Sequence, residues 1–134
     1  MLPQLRQEVD SEWLADPLDE HLEQTRNHAA RLEKVFLELG AEPTSAISTP
    51  LEGLRRQHDD NVGKLVEPRL RDIFLAGAAA KTEHLEIALY SSLLQLAPAV
   101  GAETGPLEAN LREEEHALRA VEEAAAKLRE RLPA

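Results

Sequence analysis

Acids and imidazoles interrupt the apolar stripes of this chain, and their spacing limits what chemistry they can do. Counted at alternating steps of four and three, one stripe reads Leu14, Leu18, His21, Thr25, His28, Leu32, Val35 and Leu39, with three consecutive polar positions. A second reads Leu107, Leu111, Glu114, Leu118, Val121, Ala125, Leu128 and Leu132, broken only by a carboxylate. A third, Leu70, Ile73, Gly77, Ala80, His84, Ile87, Ser91 and Leu94, is interrupted in its middle, with Glu83 and Glu86 beside the gap. A buried, unpaired carboxylate costs several kcal/mol, so it must hold a proton, face a base or bind a cation. Carboxylates and imidazoles that converge from facing helices are a donor set for a metal ion. Helix bundles build dimetal centres from one Glu on each of two helices and a Glu-x-x-His pair on each of the others. Glu113 and His116 have that three-residue spacing and share a helix face, as do Glu83 and Glu86. With Glu114 and His28 they complete the set of candidate metal ligands: Glu83, Glu86, Glu113, Glu114, His116 and His28.

Each candidate has a plainer reading. His28 is either a hydrogen-bonded core histidine or a ligand. Glu113 and Glu115 fit a solvated acidic face, and Lys81 is placed to pair with Glu83 or Glu86. Tyr90, four residues after Glu86, either donates a hydrogen bond to it or simply packs. His21, close to the expected start of its helix, reads as a polar edge residue, and His58, in a very polar segment, as solvent-exposed.

The elements that carry these residues are marked out by the eight prolines, at positions 3, 17, 43, 50, 68, 98, 106 and 133. Proline breaks helix interiors and suits first turns, so the long gaps between prolines are the expected helices. Asp16-Pro17 followed by Asp19 predicts a helix start, and Gly40 predicts its end. Thr49-Pro50-Leu51-Glu52 has the form of a capping box, predicting a short polar helix to about Val66. Pro68 opens a third long helix ending before Pro98, and Pro106 a fourth ending near Pro133. Residues 2 to 13 predict one short first helix. No segment alternates as a half-buried strand does, and no period of about 20 to 50 residues repeats. The fold class expected is all-α, as a single domain over 1–134.

Composition narrows the functions. Against 25 Asp and Glu stand 15 Lys and Arg, a net charge of −10 that repels nucleic acid and anionic lipid alike. The absence of cysteine excludes disulfides, thiolate metal sites and cysteine nucleophiles, and suits a reducing compartment. Aromatic residues, at 3%, are too few for a stacking platform. No apolar run approaches the roughly 20 residues that span a bilayer. The expectation is an acidic, cytoplasmic protein without nucleic-acid or membrane partners. No Gly-rich phosphate loop, nucleophile elbow or Ser, His and Asp arrangement supports a hydrolase.

Several segments in order carry a family resemblance: His21-Leu-Glu-Gln-Thr25, His28-Ala-Ala-Arg31-Leu-Glu-Lys-Val-Phe36, Pro50-Leu-Glu-Gly53-Leu, Arg71-Asp72, Glu83-His84-Leu-Glu86-Ile-Ala-Leu-Tyr90 and Glu113 to Glu115. Together they resemble the YciF-like stress proteins of the ferritin-like superfamily. The resemblance implies a ferritin-like antiparallel four-helix bundle with a shortened first helix and an extra short helix between the second and third long ones. It also implies a dimer, a dimetal site and no well-established reaction. By that resemblance His28-Ala-Ala-Arg31 is similar to the second-helix ligand motif of bacterioferritins and rubrerythrins. Glu83 and Glu86 are similar to third-helix carboxylates of rubrerythrins, and Glu113 with His116 to the fourth-helix Glu-x-x-His. Thr25 stands where bacterioferritins carry a bridging Glu, and Leu2-Pro3-Gln-Leu5 resembles the middle of the family's first helix.

Two functions compete. One is an iron- or manganese-binding stress protein whose chemistry would be oxygen or peroxide reduction, since carboxylate and imidazole donors suit those ions. The other is a non-catalytic, homodimeric helical protein in which the mid-helix acids pair with Lys81, Arg31 or one another. Apolar surface left uncovered beside a short first helix favours the dimer in either case.

Overall fold

The computed structural model describes residues 1–131. Five helices follow one another: α1 (Leu2–Glu8), α2 (Glu12–Glu38), α3 (Thr49–Val62), α4 (Pro68–Val100) and α5 (Gly105–Glu130). Among the described residues there is no strand.

The expected elements are present, with shifted ends. Helix α2 starts five residues before Pro17, because the Ser11 hydroxyl accepts the backbone N–H of Trp13 at 3.3 Å and caps the helix there. Pro17 therefore lies in the second turn, where its missing N–H costs one helical hydrogen bond. Trp13, expected on the first helix, stands on α2. Gly40 closes α2 as expected, with φ of 67° and the paired bonds Ala41 N–H to Phe36 C=O at 3.0 Å and Gly40 N–H to Leu37 C=O at 3.0 Å. Helix α3 is capped by Ser48 rather than Thr49 and ends at Val62, short of Val66. Helix α4 runs through Pro98 to Val100, and Gly101, at φ of 69°, terminates it by the same double bond. Helix α5 ends at Glu130; the expected end near Pro133, and Leu132 of its stripe, lie outside the described residues.

Helix α5 packs on both α4 and α2, α3 lies against α4, and the short α1 bridges α2 and α4. The α4–α5 pair is a hairpin. Helices α2 and α4 run in the same direction because the segment containing α3 crosses from one end of the bundle to the other, as in ferritin-like bundles with one long crossover. Two apolar clusters form the core. One joins Leu5, Leu14, Leu18, Leu75, Ala79, Val121 and Leu128. The other joins Tyr90, Ala97 and Leu107. A polar layer separates them.

The third stripe named above is not the buried face of α4: Leu70, Gly77 and His84 are exposed, while Leu75, Ala79, Thr82, Glu83 and Tyr90 are buried. A helix that is apolar nearly all round gives its period no power to choose a face. His58, expected in solvent, is 2% exposed. Its Nε2 lies 2.6 Å from Glu8, and its ring stacks on Phe74 at 5.7 Å and 23°, which fastens α3 to α1 and α4. A crossover helix presents only one narrow stripe to the bundle, so a mostly polar sequence hides the residue that anchors it. Asp72, also buried, accepts the N–H groups of Asp10 and Ser11 at 3.0 and 2.8 Å and ties the α1–α2 turn to α4.

Candidate metal centre

Three helices supply the polar layer. His21 and His28 are two turns apart on α2 and so share one face. Glu83 and Glu86 come from α4, and Glu113 and Glu114 from α5. His21 Nε2 lies 2.9 Å from Glu83 Oε2 and 3.1 Å from Glu114 Oε2, and His28 Nδ1 lies 2.8 Å from Glu114 Oε1. Exposure is 4% for His21, 3% for His28, 1% for Glu83 and 0% for Glu114.

These distances are short, yet the atoms are not aligned as hydrogen bonds. Both oxygens of Glu114, Glu83 Oε2 and His28 Nδ1 are buried without an aligned partner. They converge on shared space rather than on each other, the arrangement a cation satisfies. The outward nitrogens are occupied: His21 Nδ1 meets Gln24 Oε1 at 3.1 Å, and His28 Nε2 meets Glu113 Oε2 at 2.7 Å. Each imidazole is thus held from outside by an oxygen, as metal-ligating histidines are. His21, Glu83 and Glu114 each offer a donor atom within 4.8 Å of the others'.

The electrostatics follow from burial. Desolvation alone would lower the His21 pKa, but the Glu114 and Glu83 carboxylates outweigh it and raise it to about 10. Burial pushes Glu83 up to about 7, with His21 pulling against it and Glu114 adding to it. Glu86 rises to about 8, through burial and then through the Glu114 carboxylate beside it. Glu114 goes the other way: burial disfavours its charge, but His21 and His28 and its two acidic neighbours together hold its pKa below the usual range. One ionised carboxylate at the centre thus balances the protonated His21, flanked by two carboxyls that retain protons near neutrality, and those are the protons an entering cation would replace.

Of the residues singled out from sequence, His28, Glu83, Glu86 and Glu114 meet here. Glu113 stands one layer out: Arg31 grips it at 2.7 and 3.0 Å, so both its oxygens are taken by Arg31 and His28. His116 does not reach the cluster. Its side chain is 56% exposed and lies 3.6 Å from Glu20. The α5 stripe explains both placements, because it puts Glu114 inward, and a residue two positions on points to roughly the opposite side. Lys81 contacts Gln57 at 3.3 Å, not the acids, and the Tyr90 hydroxyl accepts from Asn110 at 3.1 Å rather than bonding Glu86. Sequence reading missed His21. With the helix start set at Pro17 it stood just past the first turn, near the helix start, whereas the true start at Glu12 puts it in the third turn. It also missed Asn110, fully buried, which accepts from Arg31 at 2.9 Å.

Residues 1–132 match the family described as "Domain of unknown function (DUF892)". The chain belongs to the DUF892 family. It is 30% identical over 101 residues to Protein YciF of Escherichia coli (strain K12), a match covering 75% of this chain and 61% of that protein. The aligned part is thus less than two thirds of the relative's length. The crystal structure of the E. coli stress protein YciF superposes with a TM-score of 0.87 at 26% identity, covering 98% of this chain and 84% of that one. YcfI of Rhodopseudomonas palustris superposes with a TM-score of 0.72 at 26% identity, covering 99% and 81%. The YciF-like resemblance read from the sequence is thus met in both sequence and fold. No helix among the described residues of this DUF892 member is long and apolar enough to cross a membrane.

Proposed function

We propose that this chain is a ferritin-like stress-response protein that binds iron or manganese at His21, Glu83 and Glu114, with His28 and Glu86 completing the site. What supports the reading is Glu114: fully buried, facing two imidazoles and two carboxylates, with no aligned hydrogen bond at either oxygen. The donor set of oxygens and imidazole nitrogens without sulfur suits those ions. When bound, such an ion would supply one-electron chemistry toward dioxygen or peroxide. The chain's part is to hold the donors, exclude bulk water by burial, and give up the protons held at Glu83 and Glu86 as the ion enters. The charge-balanced cluster of His21 between Glu83 and Glu114 also fits the second reading, a bundle that has no metal and keeps the layer as ion pairs.

The two readings separate in one experiment. Protein purified with Fe(II) or Mn(II) and analysed for metal content is expected to hold at least one ion per chain, and Glu83→Ala with Glu114→Ala is expected to abolish it. Metal content unchanged by those substitutions would sink the metal reading. The thermal midpoint should also rise with added metal, since the ion binds only the folded chain.

A homodimer, located in the cytoplasm, is part of the same proposal. From Ile87 on α4 to Ala102 just beyond its end there is no charged residue, in a chain of net charge −10. Leu89, Leu93, Leu96 and Val100 are exposed there. With Phe36 of α2 and Leu39 at its end, Leu93, Leu96 and Val100 border an apolar groove of about 260 Å³. Two copies of so acidic a chain repel each other least across that face.

A further inference from the structure

We propose that Glu113 and Arg31 are positioning residues that fix His28 with its Nε2 proton turned outward, so that Nδ1 is the atom His28 offers to a divalent transition-metal ion. The proposal rests on the metal-binding reading of the site and deepens it. Glu113 has no oxygen left for a cation: Oε2 lies 2.7 Å from both His28 Nε2 and Arg31, and Oε1 accepts from Arg31 at 3.0 Å. A carboxylate is acceptor-only, so Nε2, facing Glu113, keeps a proton; any proton on Nδ1, which faces Glu114, is the one an entering cation displaces. The guanidinium pairs with both Glu113 oxygens, at 2.7 and 3.0 Å, the fork geometry that suits a carboxylate.

The clamp is itself braced. Arg31 donates to Asn110 Oδ1 at 2.9 Å, and the Asn110 amide donates to the Tyr90 hydroxyl at 3.1 Å and to the His28 carbonyl at 3.4 Å. Arg31 therefore cannot swing away without breaking a network, buried at Asn110, that joins α2, α4 and α5. On the inner side, His28 Nδ1 is buried, 2.8 Å from Glu114 Oε1 and unaligned with it. Without Glu113 the ring would be free to keep its proton on Nδ1 and bond Glu114, which closes the donor. Residues that orient a ligating imidazole in this way change metal affinity by about 10 to 100 fold.

The test combines long-range 1H–15N spectra of the histidines in metal-free protein with Co(II) titration followed by calorimetry. In the wild type, His28 should keep a proton on Nε2. Glu113→Ala should mix the tautomers and weaken Co(II) binding about 10 to 100 fold. Glu113→Gln, which keeps an acceptor oxygen in place, should restore most of the affinity, and Arg31→Ala should fall between. Unchanged binding in Glu113→Ala, or a wild-type His28 with no proton on Nε2, would overturn the proposal. So would equal losses in Glu113→Gln and Glu113→Ala, which would make Glu113 a ligand. Absence of Co(II) binding by the wild type would instead overturn the reading of the site, with the tautomer result standing apart from it.

Discussion

At the scale of the residue, the buried layer makes a prediction about pH. His21 has its folded-state value raised to about 10, so the stability it contributes is complete below its ordinary value of 6.5 and is lost as pH rises through about 10. Glu83 and Glu86, raised to about 7 and about 8, keep protons in the folded chain that the unfolded chain releases near 4.5. Their contribution therefore also falls as pH rises through that window. All three act in the same direction, so the thermal midpoint of metal-free protein should decline steadily from pH 6 to pH 9. A metal ion takes the place of those protons, and the slope should flatten in metal-loaded protein. Calorimetric scans across the pH series check both, and a midpoint of metal-free protein that rises with pH would contradict the charge balance described. At this scale the sequence was partly legible. Glu114 stood out because it broke an otherwise unbroken stripe. The separation of Glu113 from the cluster did not, because three consecutive acids leave a periodicity argument free to choose among them.

Helices and the joints between them carry the next set of consequences. The α1–α2 turn hangs on Asp72, whose two oxygens accept two backbone N–H groups at 3.0 and 2.8 Å, while Arg71 beside it pairs with Asp10. Asp72→Ala leaves both amides without that acceptor and should cost about 1.5 to 3 kcal/mol, the range for hydrogen bonds to a charged group. Urea unfolding measures it, and a loss below about 0.5 kcal/mol would mean water replaces the carboxylate without penalty. Ser11→Ala should cost about 1 kcal/mol through loss of the α2 cap. Helix number, order and type were legible because alanine, leucine and glutamate run between punctuating prolines. The starts were less so. Proline is tolerated inside α2 and α4 once a neighbouring serine cap or a glycine terminator sets the end, and the five-residue error at Pro17 alone turned His21 into an edge residue.

The whole molecule is a bundle whose first helix is short, with a polar layer between two apolar clusters and an apolar groove left open beside it. If two copies meet at that groove, Leu93→Glu with Leu96→Glu should convert a dimer to a monomer in sedimentation analysis. The metal content should stay unchanged, because neither residue touches the cluster. A wild type that sediments as a monomer at all accessible concentrations would contradict the pairing. The fold was legible at this scale because several segments in order resembled one family. The direct arrangement of the donors was not, since it depends on how three helices rotate against one another. The central claim is that His21, Glu83 and Glu114 surround a place for a cation, and anomalous diffraction from crystals grown with Mn(II) tests it most directly. The account predicts a manganese peak bounded by His21 Nε2, Glu83 and Glu114, absent in Glu114→Ala. A wild-type crystal with no peak there, or with manganese at Glu113 and His116 instead, would contradict it.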